Sequence, residues 1–295
     1  WHRGLYRHEP IENALAILKA GRLISREHAQ TANAIINDIA PGSIIMNTDA
    51  AHSKIRLYFR PRNPTQFHIE GIRSPDEYYQ NKHGRFLVLF VFDARTLLTS
   101  SHAGFSDGNL QSGESQIMNG DAQFDELNFR HIYHDNSLPA DEQLKRDNTR
   151  KKCSEVLLDQ PLELDTPVLK CLFVRTDADA STLKFLLNSQ GSENFAGLLR
   201  KAPDNGYFFQ YYNALDYIDT TPNRIQFVLK GTRTSREVNF KLQIHDESDD
   251  RRVIAVDDVL TPGMKYYVDH GLQSGSYLAK ATIEDCFAHE AILNI

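Results

Sequence analysis

The stretch IRLYFRPRNP, residues 55–64, predicts a β-strand that runs into a rigid turn. Apolar side chains alternate with polar or amphipathic ones from Ile55 to Arg60, which is the two-residue period of a half-buried strand. Pro61 and Pro64 then end the strand, because a proline nitrogen has no hydrogen to donate to a neighbouring strand. We therefore expect the fold to be organised around one strand and the fixed turn that follows it.

Three arginines, Arg56, Arg60 and Arg62, lie on this strand or in its turn. Guanidinium groups held in fixed positions suit phosphates and carboxylates, because they donate paired hydrogen bonds to both. On spacing alone, an edge strand that carries solvated arginines explains the pattern equally well. The stretch predicts either an anion site or an ordinary sheet edge, and both alternatives stay open at this point.

The composition of the 295-residue chain is that of an ordinary globular protein with a net charge of −6. A chain of this length can bury a sizeable core, and we expect one large domain with a small one, or two domains. It lacks the overall basic charge of proteins that bind nucleic acid non-specifically. Any site for a polyanion must therefore be a local patch.

The three cysteines, Cys153, Cys171 and Cys286, are too widely spaced for a metal-ligand motif or a disulfide framework. This usage fits the reducing cytoplasm, and we expect a cytoplasmic protein without a bound metal. No apolar run is long enough to span a bilayer, and no signal peptide is recognisable, so no membrane association is predicted. The chain begins at Trp1, so a leader removed before that residue stays open.

Periodic patterns predict the other elements of the first 210 residues. A helix is expected at residues 11–20, ended by Gly21, and the unbroken apolar run at residues 86–92 is typical of a buried central strand. The remaining predictions are helices at 32–39, 124–133 and 180–187, strands at 4–10, 153–158 and 168–174, a core segment at 67–72, and a loop or exposed helix with a basic end at 135–152.

Beyond about Tyr211 the pattern changes to short strands separated by turns rich in Gly, Asp and Ser. The strands are predicted at residues 225–229, 238–244, 253–256, 264–268 and 277–283. Regular spacing of this kind indicates a small all-β sandwich or barrel. The predicted division is a first domain of residues 1–210 and a β-rich accessory domain of residues 211–295. The accessory domain carries no recognisable chemistry, so we expect it to be dispensable for the reaction.

Four short motifs follow one another along the first domain. They read LYRHEPIEN with ILKAGRLI (residues 5–13 and 17–24), YFRPRNP (58–64), SDGN (106–109) and SEVL (154–157). Together, over about residues 4–210, they resemble the DarT family, which comprises toxins that transfer ADP-ribose from NAD onto bases of single-stranded DNA. No one of the four motifs would be specific alone.

The resemblance implies an α/β (α+β) fold, an ADP-ribosyltransferase-like split β core with helices, followed here by the small all-β sandwich-like domain. It implies that Glu155 is the catalytic carboxylate, that NAD is the co-substrate and that single-stranded DNA is the partner. It also implies an antitoxin with a macrodomain that removes the modification. The residues expected at NAD are Arg7, His8, Glu9, Ile24, Tyr58 and Arg62, and those expected at nucleic acid are Arg56, Arg60 and Lys152.

Elementary chemistry agrees with this assignment. Breaking the bond between ribose C1′ and nicotinamide gives a transition state with oxocarbenium character, as in glycoside cleavage. A carboxylate such as Glu155 can hold the ribose hydroxyls and stabilise the developing positive charge. Arginines can bind the pyrophosphate or the DNA backbone, and Tyr58 can stack on nicotinamide or a base. The alternative for Glu155 is a solvated carboxylate on a strand.

Two departures from the family pattern bear on the substrates. An alignment without gaps puts Arg7 where the family usually has His and Glu9 where it has Thr, while His8 lies one residue further on. The thymine-modifying branch has an arginine in the loop after the first helix, whereas no arginine or lysine lies between Arg26 and Lys54 here. Guanine is therefore favoured over thymine as the acceptor base.

The predicted function is NAD-dependent ADP-ribosylation of a nucleobase in single-stranded DNA, by a toxin or phage-defence effector. A transferase that acts on RNA or protein is one alternative. A degenerate module that only binds NAD or nucleic acid is another. The sequence leaves open the DNA motif, the oligomeric state and the presence of an antitoxin partner.

Overall fold

A computed structural model describes residues 2–40, 49–73, 75–78, 82–137, 139–165, 167–204, 206–231 and 236–295. The chain divides into two compact units. The first comprises Trp1–His68 and Leu89–Leu172, and the second comprises Ile69–Val88 and Phe173–Ile295. The domain boundary expected after residue 210 does not coincide with this division and stays a prediction.

Short strands and helices alternate through the chain up to Val174. The strands are β1 (Gly4–Pro10), β2 (Arg22–Leu23), β3 (Ile55–Tyr58), β4 (Leu87–Asp93), β5 (Ala103–Ser106), β6 (Ile117–Met118), β7 (Glu155–Leu158), β8 (Leu162–Glu163) and β9 (Leu169–Val174). The helices are α1 (Ile11–Ala20), α2 (Arg26–Thr31), α3 (Asp49–His52), α4 (Pro64–Ile69), α5 (Ala94–Leu98), α6 (Asp121–Phe124), α7 (Phe129–Ile132) and α8 (Glu142–Lys151).

Strand β3 lies inside the large sheet, whose strands in this part of the chain follow the order β9-β4-β1-β3-β7-β5-β6. Its antiparallel neighbours are β1 and β7, and Tyr58 is opposite Tyr6 on one side and Glu155 on the other. Both backbone edges of β3 are therefore paired. The alternative of an edge strand with solvated arginines is wrong.

The alternation that predicted this strand is confirmed, since Ile55 and Leu57 are buried while Arg56 and Tyr58 are half-buried. The strand ends at Tyr58, two residues earlier than the pattern suggested, and the chain then bends. Pro64 begins helix α4, where a missing N–H costs nothing because the first turn leaves it unbonded. The Pro-rich turn thus joins a strand to a helix.

Helix α1 and strand β4 are also confirmed. Gly21 follows α1 with φ of +67°, the left-handed conformation that a glycine adopts at little cost. Strand β4 is buried from Leu87 to Phe92, as its unbroken apolar run predicted. Because β1 pairs with β3, the connection from β1 to α1 lies close to β3.

Two helix predictions are wrong for reasons of capping. The helix expected at residues 32–39 lies at Arg26–Thr31 instead, because the hydroxyl of Ser25 caps it by accepting from His28 N. The segment expected as one helix at 124–133 is split into α6 and α7, since the side chain of Asn128 accepts from His131 N and starts a new helix. The core segment predicted at 67–72 is confirmed, since Ile69 and Ile72 are buried, and its first residues belong to helix α4.

The second unit contains helix α9 and eight further strands. They are α9 (Asp177–Ser189), β10 (Leu199–Lys201), β11 (Leu215–Thr221), β12 (Arg224–Leu229), β13 (Val238–Asp246), β14 (Arg252–Leu260), β15 (Lys265–Asp269), β16 (Ser276–Ile283) and β17 (Cys286–Asn294). Two antiparallel sheets, β11-β12-β15 and β14-β13-β16-β17, confirm the predicted β-rich tail. Strands β11 and β17 were missed, because neither shows the strong apolar run of the others.

The two sheets of the tail share one apolar core. Phe227 of β12 and Phe240 of β13 stack with ring centroids 4.8 Å apart, and Leu215, Leu242 and Ile283 are buried in the same cluster. Packing of one sheet face on another is what an all-β sandwich requires. Within the described residues, no helix is both long and apolar enough to cross a membrane.

Helix α9 is bonded to this sandwich through a buried histidine. His289 of β17 places Nδ1 2.8 Å from Thr182 Oγ1 and 3.2 Å from Ala178 O, both on α9. Thr182 Oγ1 also accepts from Glu290 N at 3.2 Å. Burial lowers the pKa of His289 to about 4. A neutral imidazole therefore serves as a fixed hydrogen-bonding group between helix and strand.

This histidine makes the stability of the protein depend on pH. An unfolded histidine titrates near ~6.5, so between that value and the folded pKa the unfolded chain binds more protons than the folded one. The stability present at neutral pH is lost as the pH falls through this window, by up to ~3 kcal/mol. We expect urea unfolding to show a smaller loss between about pH 7.5 and about pH 4.5 in His289→Gln than in the wild type. A matched control is His270→Gln, and equal pH dependence in all three proteins would contradict the assignment.

Candidate active site

Glu155 begins strand β7 and is fixed by its neighbours in the sheet. It is opposite Tyr58 of β3, while β5 pairs with β7 on the other side. Its backbone N–H donates to Ser106 Oγ at 3.1 Å, and that hydroxyl donates to Gly108 O at 2.8 Å. The residue is 1% exposed, so the alternative of a solvated strand carboxylate is wrong. The Ser-Asp-Gly turn thus positions the residue that the sequence singled out as catalytic.

Arg56 holds one oxygen of this carboxylate. Its Nε and Nη2 atoms both lie 2.8 Å from Glu155 Oε2. Burial opposes the charge on the guanidinium, but the carboxylate of Glu155 outweighs burial and raises the pKa of Arg56. Glu155 Oε1 is buried and has no hydrogen-bond partner among the described residues. The arrangement leaves one carboxylate oxygen fixed and the other available to a ligand.

Arg7 and Glu9 form a second ion pair beside this one. Arg7 Nε donates to Glu9 Oε1 at 2.6 Å, and Arg7 Nη1 donates to the backbone oxygen of Arg56 at 3.3 Å. Glu9 is buried, whereas about a quarter of the Arg7 side chain is exposed. The pair therefore connects β1 to the stretch of β3 that carries the partner of Glu155.

Asn13, which the sequence analysis did not single out, extends this network to the loop after α2. Its Nδ2 donates to Glu9 Oε2 at 3.3 Å and to Asn37 O at 2.8 Å. Its Oδ1 accepts from the backbone N–H groups of Ile36 and Asn37, both at 2.9 Å. In the sequence, the signal for this residue was an asparagine on an otherwise apolar helix, four residues after a glutamate. Asn13 fixes where residues 36 and 37 lie relative to β1.

His8 and Tyr58 form a stacked aromatic pair on adjacent strands. Their ring centroids are 5.6 Å apart and their planes differ by 4°. Burial, with a further contribution from the charge on Arg7, lowers the pKa of His8 to about 3. The imidazole is therefore neutral at physiological pH. Its Nδ1 is buried without a hydrogen-bond partner in the described part of the chain.

Two further groups near Glu155 stay protonated. Burial and then the charge of Glu155 raise the pKa of the Tyr58 phenol above its usual value, and its hydroxyl lies 3.4 Å from Thr65 Oγ1. Burial and then Glu155 raise the pKa of Cys153 to about 12. Cys153 is therefore a buried thiol, since a nucleophilic cysteine needs a lowered pKa.

Arg60 and Arg62 converge on one carboxylate, that of Asp135. Arg60 Nη2 donates to Asp135 Oδ1 at 2.7 Å, and Arg62 Nη1 donates to Oδ2 at 3.2 Å. Arg60 is only 1% exposed, and its Nη1 also donates to Ile132 O at 3.2 Å and His134 O at 2.5 Å. The two arginines therefore share a face, but Arg60 lies inside the protein and binds backbone.

The predicted site residues thus fall into two groups. We name the first the Glu155 cluster; it comprises Arg7, His8, Glu9, Arg56, Tyr58 and Glu155. We name the second the Asp135 cluster; it comprises Arg60, Arg62, His134, Asp135 and Lys152. Ile24 joins neither group through a bond that the structure shows, and lies half-buried between β2 and Ser25. No set of three or more His, Cys, Asp or Glu side chains in the described ranges could hold a metal ion.

Solved structures of similar fold come from Thermus sp. 2.9 DarT. The complex with ADP-ribosylated ssDNA has a TM-score of 0.55 at 16% identity, and the match covers 70% of this chain and 97% of that one. The complex with carba-NAD+ has a TM-score of 0.53 at 15% identity, covering 70% and 98% of the two chains. The complex with NAD+ has a TM-score of 0.51 at 14% identity, with the same coverage. At these identities the likeness confirms the predicted core fold.

The family itself is shown by sequence. A family profile described as "ssDNA thymidine ADP-ribosyltransferase, DarT" matches residues 6–208, which is more than half of the chain. No curated protein sequence matches the chain. The predicted family, the predicted enzyme class and the predicted use of NAD as co-substrate are confirmed. The chain belongs to the DarT family of NAD-dependent ADP-ribosyltransferases that act on single-stranded DNA.

Proposed function

We propose that this protein transfers ADP-ribose from NAD to a guanine of single-stranded DNA, with Glu155 as the catalytic carboxylate. The observation that carries the proposal is the state of that carboxylate. Glu155 is 1% exposed, Arg56 holds its Oε2 with two hydrogen bonds, and its Oε1 has no partner in the described residues. A buried acceptor without a partner is costly in a folded protein, so its persistence indicates a ligand group that completes it.

The proposed reaction uses this geometry as follows. The bond between C1′ of the nicotinamide ribose and the nicotinamide nitrogen breaks, and its electron pair leaves with a neutral nicotinamide. Positive charge develops on the ribose, and the Glu155 carboxylate stabilises it while Oε1 accepts from a ribose hydroxyl. A nitrogen or oxygen of the base supplies the electron pair of the new bond to C1′ and gives up a proton to solvent. Arg56 keeps the carboxylate oriented through its two bonds to Oε2.

The NAD side of the site is supported by the residues of β1. The stacked pair of His8 and Tyr58 is neutral, so it can flank a planar nicotinamide without opposing the charge that ring carries. Arg7 and Glu9 lie beside it and offer a cation and a carboxylate to the rest of the cofactor. Ile24 is kept as a proposed apolar contact of NAD. Arg62 was expected at NAD too, but its bond to Asp135 groups it with Arg60 instead.

Two of the residues expected to contact DNA take a different role in the proposal. Arg56 was expected to bind a phosphate, and its double bond to Glu155 supports a positioning role for this residue. Arg60 was expected to contact the strand directly, and its burial supports an indirect role. Lys152 caps helix α8 and is half-buried beside Arg60, which supports a direct contact with the strand.

The proposal of guanine rests on the absence of a lysine or further arginine from the loop after the first helix, which we call the acceptor loop. No arginine or lysine lies between Arg26 and Lys54, and Arg26 Nη2 is bonded to Asp38 Oδ2 at 2.5 Å. A cation that could activate the weakly nucleophilic thymine is therefore missing from the described part of this loop, and residues 41–48 lie outside it. Guanine has more nucleophilic positions and needs less activation.

In its biological setting, we propose that the enzyme acts in the cytoplasm as a toxin or phage-defence effector. A bulky charged adduct on a template base would stop replication of host or phage DNA. A macrodomain protein that removes the adduct is the proposed antitoxin. The small number and wide spacing of the cysteines, Cys153, Cys171 and Cys286, are consistent with a reducing compartment.

Glu155→Gln tests the catalytic role without changing the size of the side chain. We expect the rate of ADP-ribosyl transfer to fall by ~10²-fold or more, because a contact made in the transition state is lost. NAD affinity, measured by calorimetric titration, should stay within a few-fold of the wild type. The control is Glu163→Gln on the exposed strand β8. Activity of Glu155→Gln close to that of the wild type would refute the assignment.

Arg56→Gln tests the positioning role. Removing one partner of a buried ion pair leaves an uncompensated charge, so we expect the free energy of unfolding to fall by ~3–5 kcal/mol. The double variant Arg56→Gln with Glu155→Gln removes both charges and should recover much of that loss. Urea unfolding of the three variants measures the coupling. If the two single losses simply add in the double variant, the pair is not coupled.

A panel of acceptors tests the substrate. Oligonucleotides that differ only in a single target base are incubated with the enzyme and NAD, and intact mass is read for each. We expect guanine to be labelled in single strands and the matching duplex to be labelled far less, because an unpaired base needs no unstacking. Labelling of thymine would overturn the base assignment alone. Labelling only of RNA or protein, or of nothing, would favour the alternative transferase or the degenerate module.

A further inference from the structure

We propose that the Asp135 cluster is a binding site for a backbone phosphate of the acceptor strand, with Lys152 and Arg62 as its direct ligands. The inference rests on the proposed function, because it presumes that a nucleic-acid strand reaches Glu155. It differs from the sequence-based expectation in two ways. Arg60 becomes the residue that builds the site, and Arg62 serves DNA rather than NAD.

Arg60 acts as the scaffold of the site. Its guanidinium is buried and its donors are directed at Ile132 O, His134 O and Asp135 Oδ1. These bonds fix the chain after helix α7 against the turn that follows β3. A guanidinium engaged in this way has little capacity for a further ligand, since it has five N–H donors and a fixed planar geometry.

The cluster carries more positive than negative charge. Arg60 and Arg62 both pair with the carboxylate of Asp135, which is the most exposed member of the ion pairs, and Lys152 lies near enough to interact with the charges of all three. Burial and then the charge of Arg60 lower the pKa of Lys152. Burial and then the charges of Lys152 and Arg60 lower the pKa of His134. Cations that repel one another at a half-buried site are stabilised when an anion binds there.

The backbone of Arg62 is consistent with a position imposed by function. Its φ is +54°, in the left-handed region that a residue with a Cβ atom adopts only under strain. The conformation is held by Gln66, whose Oε1 accepts from Arg62 N at 3.0 Å. This conformation brings the guanidinium to Asp135 beside Arg60. Strain of this kind is concentrated at ligand-binding positions.

The cluster lies at the end of the sheet where Glu155 begins β7. Tyr58 is opposite Glu155, and Phe59 N donates to Ser154 O at 3.2 Å, so Arg60 and Lys152 lie two and three residues beyond the paired ends of the two strands. Lys152 precedes Glu155 by three positions in the chain. A phosphate bound by Lys152 would therefore be close to the nucleotide whose base is modified.

The position favours the acceptor strand over the pyrophosphate of NAD. The cluster is built by the turn after β3, the segment after α7 and the end of α8. None of its members comes from β1 or α1, where Arg7, His8 and Glu9 lie. A chain with a net charge of −6 also needs a local cationic patch to retain a polyanion.

Binding of DNA without turnover tests the site. In a Glu155→Gln background, a fluorescently labelled single-stranded oligonucleotide is titrated by anisotropy at two salt concentrations. We expect Lys152→Met to weaken binding about tenfold, and to reduce the slope of log affinity against log salt by ~0.7, because one phosphate contact is lost. Arg62→Ala should behave in the same way, whereas Lys152→Arg should bind like the parent.

The controls separate the possible failures. Lys145→Met lies on the exposed part of α8 and should leave affinity unchanged, and thermal unfolding checks that each variant is folded. NAD affinity should be equal in all variants. If Lys152→Met and Arg62→Ala bind DNA as Lys145→Met does, or if they lose NAD affinity instead, the proposed phosphate site is refuted. The proposed function fails separately, if the wild-type enzyme consumes no NAD and labels no oligonucleotide.

Discussion

The buried ion pair between Arg56 and Glu155 is the interaction on which the site depends. A carboxylate that is 1% exposed is too costly to leave uncompensated, and Arg56 supplies the compensation with two hydrogen bonds to one oxygen. The pair requires β3 and β7 to be neighbours in a fixed register, with Tyr58 opposite Glu155. The turn at Ser106 and the bond from Arg7 to the backbone of Arg56 secure the same two strands. The other oxygen is thereby held in a fixed position.

Elements that carry a clear local pattern of apolar residues could be predicted from the sequence. The alternation of residues 55–60 and the apolar run at 86–92 each record which face of one strand is buried, so β3 and β4 were found. The resemblance to DarT then singled out Glu155. Helix α2 was misplaced because one capping hydroxyl, that of Ser25, outweighed a weak apolar pattern six residues further on. Strand β17 was missed because its buried residues include small and polar ones, among them His289.

Contacts between distant elements could not be predicted in the same way. Arg56 and Glu155 are 99 positions apart, and Arg60 and Asp135 are 75 apart, so neither pair leaves a local signal. Spacing alone made all three arginines of the opening stretch equivalent candidates for phosphate. The fold gives them different roles, since Arg56 orients a carboxylate, Arg60 is buried against backbone and Arg62 remains partly exposed. The three arginines differ in role because they differ in burial and in the group to which each is bonded.

The position of bound NAD is the most direct test of the proposed role of Glu155. A crystal structure of this protein with carba-NAD+, whose ribose analogue cannot be cleaved, would show which group meets Glu155 Oε1. We expect a hydroxyl of the nicotinamide-side sugar at ~2.6–3.2 Å from Oε1, with Oε2 still bonded to Arg56 and the nicotinamide beside His8 and Tyr58. A cofactor bound with its ribose elsewhere, and Oε1 still without a partner, would contradict it.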